Sequence, residues 1–366
     1  MKVRLFSISL ILFFAACVDR INFDVGAGAS PVVVNGYISD QPGPYRVEIL
    51  KAIEIDSKLS IKSRISVKRV MISDNTGYSE DLTQIIQGVY ETAPNGIRGQ
   101  VGRSYQLLVE FLDGRIYETK PDTLMPPGQM DSIYFNFKSE KLAEETKYGF
   151  DIFFNSHAGT SDSYRFLWKF IGTYQIETNP ELYSVPCGES RCPQPLPCSG
   201  YVLGRAGELI KNGPCECCTC WVSLADDMPV ISDNQFVQSG QFNGVKAGYV
   251  PLDSWVFQNK VHAEVRQQSL SPQAFNFWKA IQAQKAANSS LFQPITGRIP
   301  SNFVQIGGPT GQIEGLFYAT AITSRSVFIT RDDVPNQNLL TDPSLKFPDN
   351  CAKFGNATSQ RPSFWE

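Results

Sequence analysis

Of nine cysteines, the eight after Cys17 constrain this chain more than any other feature, because seven of them are crowded between Cys187 and Cys220. They are Cys187, Cys192, Cys198, Cys215, Cys217, Cys218 and Cys220, and the eighth, Cys351, lies far down the chain. An even number, clustered, reads as a disulfide framework in an oxidising compartment. Cys215-Glu-Cys217-Cys218-Thr-Cys220 also holds two overlapping Cys-x-x-Cys spacings, which suit tetrahedral zinc. Thiolate ligands need reducing surroundings, so location weighs between the two readings. As disulfides, the pattern predicts that Cys351 pairs back into the cluster and ties down the C-terminal tail. Eight cysteines allow about a hundred pairings, and spacing does not choose among them. Pro193, Pro195 and Pro197 interrupt the cysteine-rich insert, near 181–221, so it is not regular strand throughout.

The first residues speak to location. Lys2 and Arg4 precede an apolar run from Leu5 to Ala16, and Ala15 and Ala16 stand just before Cys17. A run of about 12 apolar residues is short for a helix crossing a bilayer core of about 30 Å, but it suits a signal peptide. Residues 1–17 therefore read as a lipoprotein signal ending at a lipidated Cys17, with Phe14 where leucine is usual. Two or more acyl chains there, at about 0.8 kcal/mol per buried methylene, would hold the protein on a membrane. An ordinary cleaved signal is the competing reading. Residues 18–30, with Gly26 and Gly28, read as a flexible tether. This exported setting favours disulfides over zinc.

Composition removes other classes. The formal net charge is −3 and basic residues are scattered without interleaved aromatics, so nucleic acid is not an expected partner. Two histidines, His157 and His262, argue against histidine-based catalysis or a histidine-rich metal site. No later apolar run approaches 18 residues, so the body is expected to hang from its lipid.

The mature chain reads as mainly β. Tyr45, Val47 and Ile49 alternate with Arg46 and Glu48, the period of a half-buried strand. Val67–Ile72 is a second such run. Tyr105–Phe111 and Arg115–Glu118 flank Asp113-Gly114, a strong hairpin signal. Residues 31–125 thus predict an antiparallel, immunoglobulin-like sandwich. The Pro- and Gly-rich stretch from Pro121 to Gly128 marks a boundary. A larger β-rich domain, 126–366, follows, with alternating Ile133, Phe135 and Phe137 and further strands at Phe150–Phe154, Tyr164–Thr173, Val256–Val265, Leu316–Thr323 and Ser326–Thr330. One helix is expected near 271–287: Ser271 caps it, Pro272 suits its first turn, and Phe275, Trp278 and Ile281 follow at helical spacing. Packing on a sheet is the plain role for Trp278, and carbohydrate stacking the sharper one.

No catalytic signature is present: Gly-rich phosphate loop, His-Glu-x-x-His and Gly-x-Ser-x-Gly are all lacking. The carboxylate pairs Asp226-Asp227 and Asp332-Asp333 read as solvated loops, with calcium as the alternative. Asp122-Thr123-Leu124 and Asp131-Ser132-Ile133 have the form of O-glycosylation triplets. No cofactor, metal or catalytic residue is expected, and the chain is not expected to be an enzyme.

Several motifs resemble a Bacteroidota outer-membrane lipoprotein family of unknown function. They are Val32–Gly36 with Ser39-Asp40-Gln41-Pro42-Gly43-Pro44-Tyr45; Gly99 with Val101–Tyr105; Asp113–Glu118; Asp131–Tyr134; Ser271–Phe275 with Phe277-Trp278-Lys279; and Pro362–Trp365. Relatives often carry two nearby cysteines and a Gly-Gly-Thr-Asn-like run near the C-terminus, where this chain has Cys351 alone and Gly355-Asn356-Ala357-Thr358. Such proteins are commonly encoded beside TonB-dependent transporters. The resemblance implies a lipid-anchored outer-membrane accessory protein at the cell surface, with the periplasmic face as the alternative, binding such a transporter or capturing its ligand. Asp19 and Asp24, shortly after Cys17, loosely match an acidic surface-export signal. A structural, adhesion or envelope-assembly role is the second expectation and a glycosidase the third.

Overall fold

The computed structural model describes residues 32–55, 59–159, 164–225, 228–232, 237–238, 240–288, 299, 301–344 and 346–365. Cys17, the tether and Asp226-Asp227 lie outside the described residues.

Two β-sandwiches share the described chain with one long α-helix, Pro272–Asn288. In the first sandwich, one sheet runs in the order Ile313–Thr320, Val32–Ser39, Arg46–Ile55, Val89–Glu91, Thr83–Ile86. Its partner runs Phe303–Gly307, Ile116–Thr119, Ser104–Glu110, Arg69–Asp74, Ser79–Asp81. Alternation explains the pairing of faces: Val34, Ile38, Val47 and Ile49 point inward and meet Val70, Ile72, Leu107 and Val109 in one core. The hairpin at Asp113-Gly114 forms, with Ile116 opposite Glu110 and Gly114 at φ +86°, a conformation glycine takes without a steric cost.

Pairing in this sandwich is antiparallel with one exception. Val32–Ser39 and Ile313–Thr320 run parallel, Val34 opposite Gly315. Parallel neighbours need a long crossover. Here the crossover is everything between them, including most of the second sandwich. Strands from 303–320 therefore complete sheets begun within 31–125.

In the second sandwich, Gln129–Lys141, Thr146–His157, Gln241–Pro251 and Val237–Gln238 form one sheet in that order. Ile322–Ile329, Val261–Ser269, Phe166–Glu177, Thr219–Ala225 and Ala357–Thr358 form the other. Phe150, Ile152 and Phe154 share one core with Trp168, Phe170, Val261, Ala263 and Val265, and Ile133, Phe135 and Phe137 pack alongside. At Ala321 the chain leaves the first sandwich and enters the second, its amide donating to Ser269 Oγ at 2.9 Å.

The helix starts where Ser271 predicts, with the Ala274 amide donating to Ser271 Oγ at 3.1 Å. Ser271 Oγ itself donates to Asp122 Oδ1, and Asp122 Oδ2 accepts from the Ala319 amide at 2.9 Å. One buried carboxylate thus joins the helix start, the end of the first sandwich and the strand Ile313–Thr320. Burial raises the Asp122 carboxyl above its ordinary value, with the Ser271 and Ala319 hydrogen bonds opposing. Within Asp122-Thr123-Leu124, Thr123 is half-buried with its Oγ1 2.7 Å from Ser104 Oγ, and Leu124 is buried.

The C-terminal tail closes over the second sandwich. Phe364 stacks on His262 at 4.0 Å between ring centres, and Trp365 Nε1 donates to Gln175 Oε1 at 3.0 Å. Burial pushes the His262 imidazole below its ordinary value, Glu264 opposing and Arg266 reinforcing. The unfolded chain, with histidine near about 6.5, takes up this proton first and so binds more protons than the folded one. Stability therefore rises with pH across that window. Thermal midpoints should fall as pH drops through about 6.5, until folded His262 itself protonates. His262→Phe should flatten that slope, and an unchanged slope in the variant would remove His262 as its source.

Candidate functional site

All eight cysteines after Cys17 are paired: Cys187–Cys192, Cys198–Cys217, Cys215–Cys218 and Cys220–Cys351. With every thiol in a disulfide, the zinc reading of 215–220 has no thiolate to use. Only one of the two Cys-x-x-Cys spacings is closed. Cys351 returns to the cluster as its position suggests.

The insert they staple consists of two ribbons, Ser184–Cys187 with Ser190–Pro193 and Tyr201–Leu203 with Leu209–Lys211. Neither ribbon joins a sandwich sheet. An isolated two-stranded ribbon is marginal in water. Here Cys187–Cys192 clamps the first, while Cys198–Cys217 and Cys215–Cys218 clamp the base of the second. The second ribbon presents aliphatic side chains: Val202 opposite Ile210 and Leu203 opposite Leu209 are all exposed, as is Leu182 just before the first ribbon.

A second feature lies under the helix. Leu316 and Tyr318, on the face of their strand away from the first core, pack with Phe277 and with Leu167 of the second sandwich. Both faces of that strand are covered, which explains its nearly unbroken apolar run. Beside this contact a cavity of about 600 Å³ opens, lined by Tyr37, Lys169, Phe277, Trp278, Leu316 and Tyr318 among others. Gly315 forms part of the wall at φ +105°; a Cβ there would come within 2.0 Å of the Val34 carbonyl oxygen.

Lys169 is the unusual member. Trp168 and Phe170 belong to the second core, and Lys169 projects toward the helix. Its Nζ lies 5.7 Å from the Tyr37 ring centre and 5.9 Å from that of Trp278. Tyr37 and Tyr318 rings are 5.7 Å apart, and Trp278 meets Tyr318 edge-on at 6.5 Å. Burial holds the Lys169 ammonium below its ordinary value, and Arg266 adds to the effect. Trp278 thus both packs the helix and walls the cavity.

The other residues singled out in the sequence are not brought together. Asp333 Oδ2 accepts from the Thr330 amide at 2.7 Å and caps a single helical turn, and Asp332 is exposed beside it. Ser132 Oγ accepts from Asn155 Nδ2 at 2.9 Å. His157 pairs with Asp131 at 2.8 Å, whereas His262 lies in the tail's aromatic stack. Among the described residues no group of three or more His, Cys, Asp or Glu side chains is placed to hold a metal ion, and no helix is long and apolar enough to cross a membrane. Lys169 and Tyr37 went unnoticed in the sequence. The signal was there: a single charge within the apolar run Phe166–Phe170.

No curated protein and no solved structure matched the chain. One family model did, over residues 18–326, ending before Cys351 and the Pro362–Trp365 motif. The chain belongs to the family described as Domain of unknown function (DUF4249).

Proposed function

We propose that this protein is a lipid-anchored accessory protein of the outer membrane, held by Cys17 at the cell surface, and that it works by binding a TonB-dependent transporter. The observation that carries this reading is the stapled insert. Five aliphatic side chains, Leu182, Val202, Leu203, Leu209 and Ile210, stay exposed on an insert whose ribbons add no strand to either sandwich. Exposed apolar groups on a covalently stiffened element cost solubility, and contact surfaces are where that cost is offset. Stiffening also lowers the entropy lost on docking.

The test is affinity purification of the C-terminally tagged chain from outer membranes in mild detergent. The expected result is a stoichiometric TonB-dependent transporter with the native chain. Val202→Asp with Ile210→Asp, opposite one another on one face of the ribbon, should lose it, since each charge at a contact centre costs about 2 kcal/mol, about thirtyfold in affinity. Recovery of the protein alone, or of the transporter equally with both chains, counts against the reading. Cys17→Ala should leave the chain off the membrane.

A further inference from the structure

We propose that the cavity beneath the helix Pro272–Asn288 binds a small amphiphilic organic anion, its acid group on Lys169 and its apolar body against Tyr37, Trp278 and Tyr318. The site shares no residue with the insert and stands whether or not a transporter docks there.

The volume fits first. About 600 Å³ is within the range of about 300–1,000 Å³ for small-molecule sites. Its wall is mostly apolar and aromatic, with few charges to fix a ligand's orientation. Those charges are mostly accounted for. Arg46 pairs with Glu91 at 2.7 Å, and Glu48 lies 3.6 Å from Arg64. Glu314 has an interaction of its own. Arg266, which bears on Lys169 from beside the cavity, pairs with Glu264 at 2.9 Å.

Lys169 is different. Among the described residues its ammonium has neither a carboxylate within ion-pair reach nor a hydrogen-bond acceptor, and the charge that bears on it is another cation, Arg266. Lys169 is half-buried, and a charge partly withdrawn from water without a counter-charge is costly. Two ring faces at nearly 6 Å offset only part of that cost. An anion in the cavity would offset the rest, opposing both the desolvation and the Arg266 repulsion. A neutral or cationic ligand would do neither. The flat walls set the second requirement, a hydrophobic or aromatic body attached to the acid group.

The experiment uses the full lipidated chain in mild detergent and titration calorimetry with three water-soluble probes: phenylbutyrate, octanoate and naphthalenesulfonate. Each is compared with its neutral amide. At least one acid should bind the native chain tenfold or more tighter than its amide. Lys169→Met should abolish that preference while keeping the weak binding of the amide, and Lys169→Arg should retain the preference. Trp278→Ala should weaken acid and amide alike. Unchanged far-ultraviolet circular dichroism confirms that each variant is folded, and Lys169→Arg guards against a misfolded Lys169→Met. No binding of any acid, equal binding of acid and amide, or a preference that survives Lys169→Met would each overturn the proposal.

Discussion

Removing the Cys220–Cys351 bridge, by Cys220→Ala with Cys351→Ala, should cost about 3–5 kcal/mol of stability. The bridge closes a loop of 131 residues. In the chain-entropy account such a loop restricts the unfolded state by about 5 kcal/mol, against about 2 kcal/mol for a loop as short as the one closed by Cys187–Cys192. Position adds to length. Cys220 and Cys351 are both buried in the core of the second sandwich. The bridge also holds the tail where Ala357–Thr358 pairs with Trp221 and Val222. A loss of this size is a large share of the roughly 5–15 kcal/mol that a folded domain has. Denaturant titration under non-oxidising, non-reducing conditions measures it. The control is Cys187→Ala with Cys192→Ala, which should cost about 2 kcal/mol or less because both ends lie in a peripheral ribbon. Equal losses in the two variants would show that loop length is not the governing quantity.

Local chemistry was legible in the sequence, and distant adjacency was not. Asp113-Gly114 specifies its hairpin because the turn needs a positive φ and the flanking runs need only each other. Ser271-Pro272 specifies the helix start for a similarly local reason. The mainly β class follows from many such signals. By contrast, Gln241–Pro251 escaped notice although it is a central strand. Its buried residues Phe242, Val245, Ala247 and Val250 are spaced three, two and three apart, because register shifts against Thr146–His157 break the period of two. Val256 and Phe257, expected within a strand, instead lie in the turn before Val261–Ser269. The parallel pair of Val32–Ser39 and Ile313–Thr320 was invisible because no local pattern reports a partner across the intervening chain. The same limit hid the cavity. Tyr37, Lys169 and Trp278 come from a strand of the first sandwich, a strand of the second and the helix. Disulfide pairing was legible only in outline: the return of Cys351 could be expected, the choice of Cys220 could not.

Trp168→Ala should cost about 3–5 kcal/mol, with a further penalty for an orphaned polar partner. Trp168 is fully buried, with its ring centre 5.0 Å from that of Phe154 and 4.9 Å from that of Phe242. Its indole Nε1 donates to Gln267 Oε1 at 2.7 Å, across a directly opposed strand pair. Gln267 is itself buried, and its Nε2 has no partner among the described residues. Losing the indole therefore leaves a void and a side-chain amide with nothing to bond. The two costs separate by substitution. Trp168→Phe keeps most of the aromatic volume and removes the donor, so it should cost about 1–3 kcal/mol. Gln267→Leu in the Trp168→Phe background removes the orphaned amide and should recover part of that loss, a coupling a double-mutant cycle reads directly. The cavity supplies a second readout. Trp168 and Lys169 are consecutive on one strand and point to opposite faces, so the packing of the indole fixes the backbone from which Lys169 projects. Trp168→Phe keeps a ring between Phe154 and Phe242, so it should hold that backbone and leave acid binding at Lys169 nearly unchanged while lowering stability. If instead Trp168→Phe destabilises as much as Trp168→Ala, the hydrogen bond to Gln267 rather than ring volume governs this core.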